Sequence, residues 1–141
     1  MPNSAKPVSL YIAEEQQILR EAYHSFFAPH PDIEVVGASD DTADDSLTRS
    51  MATLKPKVLL LGIKILQPGA VERLEALRKT NLDTTIVMLS AYYDVKGITA
   101  LRHLSSGGSA GCTYLLKHTL DTVEQLTQIV LSVADGRIIL D

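Results

Sequence analysis

Apolar residues along the chain fall into five short runs, with room for one helix between each pair. These predicted strands cover residues 8–13, 34–38, 58–62, 85–89 and 112–116. The third run has no polar alternation, which is typical of a central strand buried on both faces of a sheet. Five β-α units in succession therefore predict a parallel sheet with helices on both faces.

Between the strands, apolar residues recur at intervals of three and four, which places them on one face of a helix. Prolines at positions 29 and 31 are expected to end the first helix. Asp121 and Glu124 are spaced as in a capping box at the start of the last helix, and Gly136 is expected to end it. Two further helices are predicted around Val71 and Val95. The apolar positions of the first, second and last helices are Ile18, Leu19, Ala22, Tyr23, Phe26 and Phe27; Leu47, Met51 and Leu54; and Val123, Leu126, Ile129, Val130 and Val133.

Length, charge and cysteine content exclude several classes of protein. The 141 residues carry a formal net charge of −4, and a chain of this length fits one domain. We expect a disordered leader over residues 1–7 and one folded domain over residues 8–141. The single cysteine, Cys112, excludes an internal disulfide and a zinc site built from cysteines. Without a run of Lys and Arg or a long apolar stretch, we expect a cytoplasmic domain that binds neither nucleic acid nor membrane directly.

The candidate chemistry lies at the carboxyl ends of the predicted strands, where open parallel sheets form their functional crevice. Glu14 and Glu15 follow the first strand, Ser90 the fourth and Lys117 the fifth. Two carboxylates suit a hard cation such as Mg²⁺, and a hydroxyl with an ammonium suits the oxygens of a phosphoryl group. We therefore expect these four side chains to converge on one pocket.

With these residues in view, the chain resembles the receiver domain of bacterial response regulators, in particular that of LuxR/NarL-type transcription regulators. The resemblance implies a flavodoxin-like (βα)5 fold, a doubly wound five-stranded parallel sheet with strand order 2-1-3-4-5. It also implies that the acidic pair holds Mg²⁺, that Ser90 and Lys117 respond to a phosphoryl group, and that Tyr114 reports the change to the partner-binding face. The stretches that carry the resemblance are residues 10–15 (LYIAEE), 31–37 (PDIEVVG), 57–61 (KVLLL), 74–78 (LEALR), 86–92 (IVMLSAY) and 114–117 (YLLK).

Two departures from that family bear on function. Where the family has an Asp that takes a phosphoryl group from a histidine kinase, this chain has Gly62, which offers neither a nucleophile nor a carboxylate. We therefore expect a pseudo-receiver without phosphotransfer. Residues 105–111 form a Gly- and Ser-rich link that is longer than the family's usual turn. This link fits a tolerated surface insertion, or alternatively a change in the partner-binding face.

The same residues also have plain structural interpretations. Glu14, Glu15 and Lys117 are expected to form an ion-paired cluster in which Lys117 faces Glu15; an Mg²⁺ site at the two glutamates is the alternative. The Ser90 hydroxyl is expected to bond to the nearby backbone. Tyr114 fits simple packing as well as it fits a switch.

Three functional hypotheses remain at this point. The first is a phosphorylation-independent signalling module that acts as a homodimer or on a sensor or regulatory protein, with DNA bound only by a C-terminal helix-turn-helix domain beyond these residues. The second is a sensor of Mg²⁺ or of a small ligand in the pocket that Gly62 vacates. The third, a flavodoxin-like enzyme, lacks a nucleophile–base pair, so no catalytic activity is expected.

Overall fold

The computed structural model describes residues 7–40, 45–65, 76–77, 84–92, 99, 112–117 and 122–134. Within these ranges, five parallel strands form a single sheet in the order β2-β1-β3-β4-β5. The fold class predicted from the sequence, a flavodoxin-like α/β sheet, is confirmed. The strands are β1 (Val8–Glu14), β2 (Ile33–Ser39), β3 (Val58–Ile65), β4 (Thr85–Tyr92) and β5 (Cys112–Leu116). The helices bounded within the same ranges are α1 (Gln17–Phe27), α2 (Asp45–Leu54) and α3 (Val123–Ala134).

Alternation along β1 divides the apolar core between the two faces of the sheet. Leu10 and Ile12 belong to a cluster that includes the buried residues of α1 and α3. Tyr11 and Ala13 belong to the opposite cluster, which includes α2. Because successive side chains of a strand point to opposite faces, helices are required on both sides of the sheet to bury them. The doubly wound arrangement follows from this requirement.

The third strand is longer than its apolar run predicted. The run ended at Gly62, but β3 continues to Ile65 and stays in register with β4, where Ile63 pairs with Ser90 and Ile65 with Tyr92. Ile63 is buried and Lys64 exposed, so the strand changes from a fully buried pattern to an alternating one at the edge of the core. Gly62 therefore lies inside the strand and not at its end.

The buried face of α1 is narrower than predicted. Tyr23 and Phe27 are buried, but Ile18 is 78% exposed and Ala22 is also exposed. Ile18 lies in the first turn, directly after the carboxyl end of β1, whereas Tyr23 and Phe27 lie further along the helix and over the sheet. The predicted stripe is therefore wrong at Ile18 and Ala22.

The cap of the last helix is Thr122, one residue later than predicted, and the helix itself begins at Val123. The Thr122 hydroxyl accepts the backbone N–H of Gln125 at 3.2 Å, and the Gln125 side-chain oxygen accepts the N–H of Thr122 at 3.2 Å. This reciprocal pair is a capping box, so the prediction that Asp121 and Glu124 form the box is wrong. A Thr and a Gln three residues apart also fit the motif. Because an acidic residue precedes each of them, the sequence fits the same motif one position earlier.

Some predictions concern residues outside the described ranges. They include residues 1–6 of the leader predicted over residues 1–7, the helices around Val71 and Val95, the 105–111 link and the helix end at Gly136. Leu77 is described within the first of these helices, where it is helical and buried.

Gly37 in β2 leaves room for the ring of Tyr11 on β1. A Cβ atom at position 37 would lie 2.6 Å from Tyr11 Cε2 and 2.9 Å from Cδ2, well inside van der Waals contact. The ring is buried, and its hydroxyl donates to the Ser39 hydroxyl oxygen at 3.1 Å. The ring therefore has little freedom to move away.

We predict that Gly37→Ala lowers the free energy of unfolding by about 1–3 kcal/mol, the usual cost of overpacking a core. Urea unfolding followed by circular dichroism measures the change. In a Tyr11→Leu background, which removes the ring, the same substitution is expected to cost less. An unchanged urea midpoint in the otherwise native chain would contradict the prediction.

Candidate functional site

The candidate site lies at the carboxyl ends of β1 and β3, where Glu14 and Gly62 are direct cross-strand partners. The side chain of Glu14 is completely buried. Its Oε2 accepts the backbone N–H of Gln16 at 2.9 Å, and its backbone carbonyl accepts Arg20 Nη1 at 2.8 Å. Glu14 is thus bonded to the residue that precedes α1 and to the first turns of that helix.

The carboxylate of Glu14 lies above Gly62, where a side chain at position 62 would begin. A Cβ atom built on Gly62 would lie 2.5 Å from Glu14 Cδ and closer still to Oε1. No residue other than glycine fits at position 62 while Glu14 keeps this position. Gly62 therefore lacks a carboxylate of its own and at the same time makes room for the carboxylate of Glu14.

Lys117 supplies the charge that balances Glu14. Its Nζ lies 3.0 Å from Glu14 Oε1 and 3.2 Å from Oε2, and the lysine side chain is only 14% exposed. Oε1 has no hydrogen bond of acceptable geometry among the described residues, so its compensation comes from the ammonium charge. Because β3 and β4 lie between β1 and β5 in the sheet, this ion pair joins strands that are not neighbours.

The expectation that Lys117 faces Glu15 is wrong, since the structure places Glu14 there. Glu15 is exposed, and its Oε1 accepts the backbone N–H of Lys64 at 2.8 Å. The Glu15 N–H donates to the carbonyl of Gly62 at 3.2 Å. Glu14 is the last residue of β1, and its side chain lies on the same face of the sheet as its partner Gly62. Glu15 lies beyond the strand and hydrogen-bonds to the backbone near the end of β3.

Ser90 does not join Glu14 and Lys117. Its hydroxyl is buried and donates to the carbonyl of Tyr92 at 2.6 Å, with the carbonyl of Lys64 at 3.3 Å as a second acceptor. By alternation along β4, Ser90 shares the face of Met88, opposite to the face of Gly62. The structure therefore brings two of the four expected side chains together. Tyr114 lies in β5, and its side chain is outside the described part of the structure.

Three residues near Glu14 carried no signal that singled them out in the sequence. The amide of Gln16 contributes through its backbone, which no residue type reveals. The guanidinium of Arg20 bonds to a backbone carbonyl. The phenol of Tyr23 was predicted to belong to the core, but its proximity to Glu14 depends on how α1 lies on the sheet. Burial, and then the nearby Glu14 carboxylate, raise the pKa of Tyr23 to about 12.

The described residues do not fit an Mg²⁺ site. The carboxylate of Glu14 is paired with Lys117 and bonded to Gln16, while Glu15 is bonded to the backbone of Lys64. Gly62 supplies no third carboxylate. Within the described ranges, no three His, Cys, Asp or Glu side chains come together as metal ligands would.

Solved structures of other proteins are similar to the fold of this chain. The signal receiver domain of NarL from Mycobacterium tuberculosis superimposes with a TM-score of 0.72 at 24% identity, over 94% of this chain and 100% of that chain. A DNA-binding response regulator of the LuxR family from Staphylococcus aureus gives a TM-score of 0.71 at 22% identity, over 90% of this chain and 98% of that one. The chain therefore has the fold of response-regulator receiver domains.

A similar sequence comes from a bacterial regulator. The uncharacterized transcriptional regulatory protein YhcZ of Bacillus subtilis (strain 168) is 28% identical over 112 residues, which are 79% of this chain and 49% of that protein. The chain thus spans about half the length of this relative. No family model matches the sequence. None of the described helices is long and apolar enough to cross a membrane.

We predict that Gly62→Ala destabilises the chain by about 1–3 kcal/mol, because the new Cβ collides with the carboxylate of Glu14. In a Glu14→Ala background, the same substitution at position 62 is expected to cost much less. Urea unfolding of the four proteins measures both effects. Gly37→Ala is the matched control, since its Cβ collides with Tyr11 and Glu14→Ala should not relieve it. Equal costs of Gly62→Ala in both backgrounds would contradict the placement of Glu14.

A second prediction concerns the free energy of unfolding at alkaline pH. The pKa of the Tyr23 phenol is about 12 in the folded chain and about 10 when it is exposed. The folded state therefore holds this proton more tightly, and the resulting stability is present below pH 10 and lost as the pH rises toward about 12. Tyr23→Phe is expected to remove this component, so that stability falls less steeply over that range. Urea unfolding between pH 9 and about 12 tests this, and identical slopes for both proteins would contradict it.

Proposed function

We propose that this chain is a receiver-like signalling module of a bacterial transcription regulator, and that it works without phosphorylation at β3. The observation that carries the proposal is the Glu14 carboxylate, which is buried above Gly62 and paired with Lys117. The similarity to YhcZ, a transcriptional regulatory protein by name, supports the biological setting. The receiver fold supports the class of module.

The chemistry at position 62 supports phosphorylation independence. Formation of an acyl phosphate requires a carboxylate oxygen to attack phosphorus, and Gly62 has no side chain. The nearest carboxylate, that of Glu14, is completely buried and bonded to Gln16 as well as paired with Lys117. To attack phosphorus, the Glu14 carboxylate would have to break its contacts with both partners. This would leave an uncompensated charge in a low-dielectric site, which costs several kcal/mol.

The same contacts argue against the alternative of a sensor for Mg²⁺ or a small ligand. The space that Gly62 leaves is filled by the carboxylate of Glu14. A cation at this place would compete with Lys117 for Glu14, and would find Glu15 already bonded to Lys64.

We propose further that the module acts by binding and not by catalysis. Its output is homodimerisation or contact with a sensor or regulatory protein in the cytoplasm. DNA is then bound only by a further C-terminal domain of a longer protein. The proposal of a longer protein is supported by YhcZ, since the match covers 49% of that relative.

We predict that incubation with acetyl phosphate and Mg²⁺ leaves the mass of the intact chain unchanged. A phosphorylated carboxylate would add about 80 Da, the mass of one phosphoryl group. Intact-mass spectrometry at neutral pH measures the adduct, with a receiver domain that carries the acceptor Asp as the positive control for the reagent. An adduct of this mass on the native chain would overturn the proposal.

A designed variant sharpens the experiment. Gly62→Asp alone restores a carboxylate but collides with Glu14, so this variant is expected to stay unmodified. Gly62→Asp combined with Glu14→Asp shortens the overlying side chain by one methylene and leaves room for the new carboxylate. An adduct on the double variant alone would show that the missing acid and the overlying Glu14 together prevent the reaction.

A further inference from the structure

We infer that Glu14 is a tethered carboxylate that takes the place of a carboxylate at position 62 and couples the start of α1 to the end of β5 through Lys117. The inference rests on the proposed function and deepens it, because it names the contact that keeps the domain in one state without phosphate. Glu14 is a positioning residue in this device, and Lys117 is the group that it positions.

Glu14 contacts residues at both of the places that it couples, the start of α1 and the end of β5. Oε2 lies 2.9 Å from the N–H of Gln16, immediately before α1, and 3.2 Å from Lys117 Nζ, immediately after β5. A single oxygen atom therefore serves both partners. If Lys117 moves away, the charge on that oxygen loses its compensation, and its bond to Gln16 changes as well.

Burial makes this coupling strong. Glu14 is completely buried and Lys117 is 14% exposed, so water does little to screen the pair. Removal of one partner of a buried pair leaves the other charge uncompensated, which is far more costly than removal of both. Glu14 Oε1, which lacks a hydrogen bond of good geometry among the described residues, depends on the ammonium group in particular.

Gly62 is the third part of the device. The carboxylate reaches its position only because position 62 has no Cβ. Gly62 therefore adds no charge to the site, and the carboxylate of Glu14 lies directly over it. Among the described residues, the buried carboxylate of this arrangement comes from β1.

The coupling is tested by a double-mutant cycle of Glu14→Gln and Lys117→Met in urea unfolding. Each single variant is expected to lower the folding equilibrium constant, the ratio of folded to unfolded chain, at least about tenfold. The double variant is expected to lose about tenfold less than the product of the two single losses. Glu15→Gln with Lys117→Met is the matched control. It removes the adjacent carboxylate, which bonds to the backbone of Lys64, and its losses should multiply independently.

A second readout separates coupling from a merely structural role. In ¹H–¹⁵N spectra, Lys117→Met is expected to shift the backbone amide of Gln16. Lys57→Met is the control for this readout, because it removes an exposed ammonium that precedes β3 at the opposite end of the strand, and it should leave the Gln16 amide unshifted. If Glu14→Gln fails to fold, the effect of Lys117→Met on Gln16 still decides the question.

An unshifted Gln16 amide in Lys117→Met, or independent losses in the Glu14 cycle, would overturn the inference. Neither measurement involves a phosphodonor. Independent losses in a chain that acetyl phosphate does not modify would therefore refute the coupling and leave the proposed function standing. A modified chain with strong coupling would do the reverse.

Discussion

The structure of this edge of the sheet depends on one buried charge. The Glu14 carboxylate has no exposure to solvent, and an isolated carboxylate in such a place would cost more than a domain of this size can sustain. Its compensation comes from the Lys117 ammonium and the Gln16 N–H. Its space comes from Gly62. Three strand ends and the start of a helix are therefore arranged around a single side chain.

The parallel sheet is what makes this arrangement attainable. The carboxyl ends of β1, β3 and β5 lie at the same edge, so residues far apart in sequence meet there without a long loop. The alternation of side chains then sorts the candidates. Glu14 and Gly62 share one face, while Ser90 lies on the other and holds the ends of β3 and β4 together through Lys64 and Tyr92. The edge is thus two separate sets of contacts and not one pocket.

Sequence patterns predicted the strands and their packing well, because buried runs and helical stripes follow directly from burial on both faces of the sheet. They also placed Glu14 and Lys117 together at one edge, although Ser90, which was expected beside them, lies on the other face. They did not identify which glutamate faces Lys117. That choice depends on the register between β1 and β3, and a shift of one residue exchanges the two faces of a strand. The Thr122 cap was missed for a related reason, since the capping-box pattern fits two positions one residue apart. The end of β3 was missed because its last residues alternate between buried and exposed and so extend beyond the apolar run.

Gly62, Glu14 and Lys117 are best understood as one unit. A glycine at position 62 beside a shorter acid would leave Lys117, at 14% exposure, without a buried counter-charge. A side chain at position 62 beside Glu14 would collide with its carboxylate. The extra methylene of glutamate relative to aspartate solves the first problem, because it carries the charge across to the place above β3. The glycine at position 62 solves the second, because it has no Cβ to collide with the carboxylate. The glycine at position 62 and the length of the acid at position 14 therefore belong to the same structural solution, in which the carboxylate at the site is buried and ion-paired.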